Sequence, residues 1–161
     1  MPAPEIALLL HDLDQAYDHK SWHGTNLRSS LVRVTPEEAS FRPCPRRHNI
    51  WELAVHAAYW KYVVRRKILG EKRGSFPLKG SNWFPRPSEE TGPALAAWKA
   101  DLALLDEVHR SLRAAVAGFD SELLPRKQGS KYTYLDLIAG VAAHDLYHAG
   151  QIQLLKRLAH D

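Results

Sequence analysis

Leu137-Ile138-Ala139-Gly140-Val141-Ala142-Ala143-His144-Asp145-Leu146-Tyr147-His148-Ala149-Gly150-Gln151-Ile152 is the stretch on which the fold turns. Leu137, Val141, His144, His148 and, further on, Leu155 recur at the spacing of one face of an α-helix. The pattern predicts a helix over residues 133–160, with Thr133 as its N-cap after Gly129-Ser130. At ~100° per residue, His144 and His148 lie within about 20° of the line through Leu137, Val141 and Leu155. Two imidazoles are thereby expected at the centre of a buried stripe.

Working outward, three more segments carry the same period. Residues 4–32 repeat Ile6, Leu9, Leu10, Leu13, Tyr17, Leu27 and Leu31. Thr35-Pro36-Glu37-Glu38 reads as a turn or a short helical start, and Pro43-Cys44-Pro45 as a loop. A second helix runs from an Asn49 N-cap through Leu53, Ala57, Trp60 and Val64 to a stop at Gly70. A third covers residues 89–118, with Leu95, Trp98, Leu102, Leu105, Leu112 and Val116 in phase. Between them, residues 71–90 show neither helical nor alternating pattern. About 20 residues at ~3.3 Å each can run back along a whole bundle, so helices two and three can be parallel, a known bundle variant. No strand pattern competes, and the expectation is one all-α domain over residues 1–161.

Composition removes several classes. The longest apolar run, residues 137–143, is far too short to span a membrane, and Met-Pro-Ala-Pro-Glu lacks the pattern of a signal peptide, so a soluble, cytoplasmic protein is expected. A single cysteine, Cys44, leaves no intrachain disulfide and no cysteine-based zinc site. The net charge of +4 comes from scattered residues, with short clusters at Arg46-Arg47, Lys61 to Lys67 and Lys72-Arg73. Without recognition motifs or aromatic interleaving, this reads as solvated helix faces and not as a nucleic-acid module.

Nine histidines make the HxxxH spacing weak evidence by itself, and the chain holds two such pairs, His19/His23 and His144/His148. The apolar stripe decides between them. His19 falls roughly 120° from the stripe of the first helix and belongs at the surface, whereas His144 and His148 face inward. Two adjacent buried imidazoles need partners and cannot both be protonated, and a shared metal ion removes both costs. The competing reading gives each ring its own hydrogen bond across the bundle. His56, on the edge of the second helix's stripe, is the expected third ligand, and three imidazoles leave a coordination position open, as in a catalytic site. His23 is expected at a similar height, lining the site. His109 lies in the third stripe, as an alternative ligand or a bonded core residue. Gln151 is the expected partner of a ligand ring, Trp60 and Tyr147 flank the site or pack the core, and Asp145, about 100° from His144, is expected in a surface salt bridge. A di-iron centre needs Glu-x-x-His on two helices, which this chain lacks.

The run His144-Asp145-Leu146-Tyr147-His148-Ala149-Gly150-Gln151-Ile152, with Asn49-Ile50-Trp51-Glu52-Leu53-Ala54-Val55-His56 and Trp22-His23-Gly24, resembles the DinB/YfiT-like superfamily over nearly the whole chain. The resemblance implies a four-helix bundle of up-down-down-up topology with a long crossover between helices 2 and 3. It also implies one divalent ion, zinc, nickel or similar, on His56, His144 and His148. Relatives include S-transferases and isomerases that use low-molecular-weight thiols such as bacillithiol or mycothiol, and others described as metal-dependent hydrolases. A small-molecule substrate and a thiol cosubstrate are the corresponding expectations, with a homodimer left open. The alternative is a non-catalytic metal- or ligand-binding bundle of a stress response.

Overall fold

The computed structural model describes residues 1–129 and 131–160, and six helices dominate it. Helix α1, Pro4–Tyr17, starts with its proline in the first turn, where the missing N–H costs nothing, and buries Ile6, Leu9, Leu10, Leu13, Ala16 and Tyr17. It ends fifteen residues short of the expected Val32, 32 − 17. Gly24 sits at φ 96°, a left-handed conformation no helix contains, and Asn26 forms a reciprocal capping box with Ser29. Leu27 and Leu31 are buried as their spacing suggested, but from a separate turn, α2 (Leu27–Ser30). The short helical start at Thr35 is α3 (Pro36–Ser40).

Helix α4, Ile50–Ile68, is capped by Asn49, whose side chain accepts from the Glu52 N–H while the Glu52 carboxylate accepts from the Asn49 N–H. Gly70, at φ 69°, lies just past its end. Helix α5 is Leu95–Ala117, six residues shorter at its start than the expected Glu89. Hydrogen bonds between Ser88 and Thr91 fold residues 88–92 into a turn, and Pro93 stands before the helix. Ahead of α6, Tyr134–Leu158, a two-stranded antiparallel ladder pairs β1 (Lys127–Gln128) with β2 (Tyr132–Thr133), a feature the sequence pattern did not signal. Thr133 caps α6 as expected, in a capping box with Asp136.

The four long helices contact one another in a closed circuit, α1 with α6, α6 with α4, α4 with α5 and α5 with α1. Their apolar residues form two clusters. One gathers Trp51, Leu53, Ala58, Trp98, Leu105 and Ile152, the other Leu13, Val64, Leu112, Ile138 and Ala142. On three of these helices a buried polar residue stands between the two clusters: Lys61 on α4, His109 on α5 and Asp145 on α6. Lys61 and Asp145 have no exposed side-chain surface and are joined by a direct ion pair. The Lys61 ammonium also donates to Nδ1 of His109 at 3.2 Å, and the Tyr17 ring stacks on His109 at 3.7 Å between centroids. Tyr17 in turn donates to Asp106, which is paired with Arg28.

Asp145 is therefore not in a surface salt bridge. The buried residues of α6 are Ile138, Val141, Ala142, Asp145, His148, Ala149, Ile152 and Leu155, a stripe whose middle runs through Asp145 and not through the histidine pair. Periodicity that counts only apolar residues discards a charged one, and Asp145 turns inward because a cation waits there. Among the described residues, no helix is long and apolar enough to cross a membrane.

Removing one member of a buried pair strands the other charge without water, which costs ~3–5 kcal/mol, whereas replacing both with apolar residues is often neutral. Lys61→Met and Asp145→Asn should each lower unfolding free energy by about that amount in urea titrations. The Lys61→Met/Asp145→Leu double variant should recover most of it.

Candidate metal centre

His56 projects from the middle of α4, and His144 and His148 project one turn apart from α6. Their Nε2 atoms converge: that of His144 lies 3.1 Å from that of His56 and 3.0 Å from that of His148. The outer nitrogens show where the protons are. Nδ1 of His56 is 2.8 Å from the Asn82 carbonyl oxygen, which can only accept, so that nitrogen carries the hydrogen. Nδ1 of His148 donates likewise to the Gln151 side-chain oxygen at 2.6 Å. In the neutral rings, Nε2 of His56 and of His148 is then a bare lone pair. A single hydrogen on His144 Nε2 can serve only one of these neighbours, so at least one close N···N contact has no proton between its atoms.

Protonation does not relieve this. Burial, reinforced by the neighbouring imidazoles, pulls His56 down to about 4 and His144 down to about 3, and burial also lowers His148. All three are neutral at pH 7. A cation would satisfy converging lone pairs that a single shared hydrogen cannot, and nitrogen donors at zinc–nitrogen distances of ~2.0–2.1 Å stand about 3.3–3.4 Å apart at tetrahedral angles. The donor set thus fits a divalent ion after a small expansion. Among the described residues no fourth His, Cys, Asp or Glu belongs to the cluster.

The connection between α4 and α5 builds one wall. Asn82 adopts φ 64°, a left-handed conformation that asparagine tolerates, presenting its carbonyl to His56 and its side-chain oxygen to the Trp60 indole N–H at 3.0 Å. Trp83 lies flat between two imidazoles, with centroids 3.8 Å from His56 and 3.5 Å from His48. His48 is fixed by Glu52, which also receives Arg42 in a two-pronged pair. Burial raises the Glu52 carboxyl, but Arg42 and His48 outweigh it and hold it below the usual carboxylate range.

Two clefts adjoin the cluster. A cavity of about 240 Å³ reaches His144 between Trp60, Val64, Leu137 and Val141, and is almost wholly apolar. A second, of about 490 Å³, reaches His148 from beside the loop before α4. His144 and His148 flank the buried stripe of α6 instead of lying at its centre, and that offset is what gives them access to these clefts.

The structure thus brings together His56, His144 and His148, with Gln151 bonded to His148 and Trp60 edge-on to His56 and His144. Tyr147 is 66% exposed, its ring centroid 5.1 Å from that of His148, at the wider cleft. His23 is on an exposed turn, where its Nδ1 faces Ser21, and lines neither cleft. His109 belongs to the Lys61 layer, and His19 is exposed and paired with Asp18. Asn82 and Trp83 were missed. The one available signal was an Asn-Trp pair inside a segment without periodicity.

A model of the DinB superfamily matches residues 20–152, which include all of α4 and every residue of the cluster. The chain belongs to the DinB superfamily. No curated protein and no solved structure matches it. In this DinB-superfamily chain the matched span begins after α1, whose residues supply one side of the second apolar cluster.

The depressed histidines set a pH dependence. An unfolded histidine takes up its proton near 6.5, whereas His56, His144 and His109, the last lowered to about 2 by burial and by Lys61, stay neutral in the fold. Their contribution is complete above pH ~6.5 and is lost on acidification toward each folded value, by at most ~1.4 kcal/mol per pH unit per histidine and less where solvent screens the ring. Asp145, whose carboxyl burial raises against the pull of Lys61, acts in the opposite sense and offsets part of this loss. Metal-free protein should lose stability from pH 7 to pH 5 in urea titrations, and His109→Gln should show a shallower decline.

Proposed function

We propose that this chain is a metal-dependent enzyme, a single domain over residues 1–161 with the up-down-down-up bundle of its superfamily, binding one divalent ion through Nε2 of His56, His144 and His148. The observation that carries the reading is the convergence of three imidazole nitrogens, two of which are stripped of protons by hydrogen bonds on their far sides. A divalent ion such as zinc or nickel, when bound, supplies Lewis acidity to a water or a thiol cosubstrate.

The chain's own residues supply the rest. Asn82 and Gln151 hold two rings in the tautomer that coordinates, and Trp83 keeps His56 from swinging out of place. Trp60, Val64 and Leu137 give the cleft on the side of His144 an apolar wall. Three protein donors leave a position for substrate, which favours turnover over a closed structural site. Clefts on both sides of the cluster suit a transfer between two small molecules, the thiol-dependent type of reaction, better than hydrolysis of one.

Protein purified without a metal-affinity column should contain about one divalent ion per chain, and His148→Ala should lose most of it by elemental analysis. Unchanged stoichiometry in that variant would refute the assignment. Gln151→Leu keeps all three donors but releases the His148 ring, and should weaken metal binding ~10–100-fold in a chelator competition.

A further inference from the structure

We propose that the wider cleft beside His148 binds an organic anion with an apolar body, its charge held by Arg46 and Arg47 and its far end delivered to the three-histidine cluster. The inference rests on the reading of that cluster as the reactive centre and adds the class of molecule that reaches it.

The walls of the cleft divide by chemistry. Leu53, Leu155, Leu158 and Trp83 supply its apolar lining, and the buried His148 of the three-histidine cluster borders it. Leu154 and Leu158 keep 58% and 39% of their surface exposed, and Tyr147 66%, so three large side chains of α6 present apolar area to water along one cleft. The loop between α3 and α4 also borders the cleft. Its shape is fixed: the Arg47 N–H donates to the Cys44 carbonyl, and the Arg47 carbonyl accepts from Arg42, which Glu52 anchors.

This loop presents Arg46 and Arg47 to the cleft. Three arginines stand in the loop, and of these only Arg42 has a carboxylate partner; neither Arg46 nor Arg47 is in an ion pair among the described residues. No Asp or Glu lines the cleft, so nothing in it neutralises the two guanidiniums. Two unpaired guanidiniums bordering a cleft with apolar walls complement a carboxylate, which accepts a guanidinium in two-pronged fashion. A neutral ligand would fill the cleft but leave that charge unused. A cation would be repelled by it.

The test uses a matched trio of probes, 6-phenylhexanoate, 6-phenylhexan-1-ol and 6-phenylhexylammonium, titrated calorimetrically into metal-free protein so that no bond to a metal contributes. The carboxylate should bind at least ~10-fold more tightly than the alcohol, and the ammonium more weakly than both. The preference should shrink with added salt. The Arg46→Gln/Arg47→Gln variant, which alters only exposed side chains, should bind carboxylate and alcohol alike, and Leu158→Asp should weaken both. Equal affinity for the three probes, no binding of any, or a carboxylate preference that survives in the double variant would overturn the proposal. Metal content of the protein as purified is measured separately: absence of the preference in a chain that purifies with one ion removes the ligand class alone, and the preference in a chain that purifies without metal and takes none up removes the metal reading alone.

Discussion

Lys61 and Asp145 hold each other where no water reaches, and the angular setting of α4 and α6 follows from that contact. A buried charge cannot be turned away from its counter-charge without paying a desolvation cost of several kcal/mol, so each helix is fixed in rotation about its own axis. At ~100° per residue His56 lies about 140° around α4 from Lys61, while His144 and His148 lie about 100° and 60° around α6 from Asp145. With the ion pair turned inward, all three imidazoles come to the flank where the connection between α4 and α5 passes. The polar layer and the candidate metal centre are separate pieces of chemistry set by one rotation.

Much of the helical plan was legible because capping residues and breakers agree with the apolar period. Asn49 and Thr133 mark where α4 and α6 begin, and both helices start there, with Glu52 and Asp136 completing the caps. The first helix was read too long because Leu27 and Leu31 continue its spacing. Phase across a break carries no information once a left-handed glycine and an asparagine cap intervene. The error at Asp145 has a different origin, since its inward position depends on Lys61, 84 residues away. No local pattern announces a buried ion pair.

The candidate site was legible in its three histidines and illegible in what surrounds them. His56, His144 and His148 lie on long helices, where spacing predicts direction. Asn82 and Trp83 lie in a segment whose conformation is set by contacts with α4, so their roles appear only once that helix is in place. The same holds for Arg46 and Arg47, which in sequence are one short basic cluster among three. It is the anchoring of the neighbouring Arg42 on Glu52 that holds the backbone of their loop.

Long connections usually tolerate insertion, being exposed and free of packing. The one joining α4 to α5 is divided in this respect. Asn82 is bound to His56 and Trp60, Phe84 is buried in the first apolar cluster, and Arg86 is tied through its carbonyl to Asn49 and through its guanidinium to Asp101. Residues 82–86 are thus tied to the core through Asn82, Phe84 and Arg86 although they have no regular structure. Length can vary before Ser81 or after Pro87, but a single residue added between them would shift the carbonyl that holds His56, and the connection would then unmake the centre it helps to build.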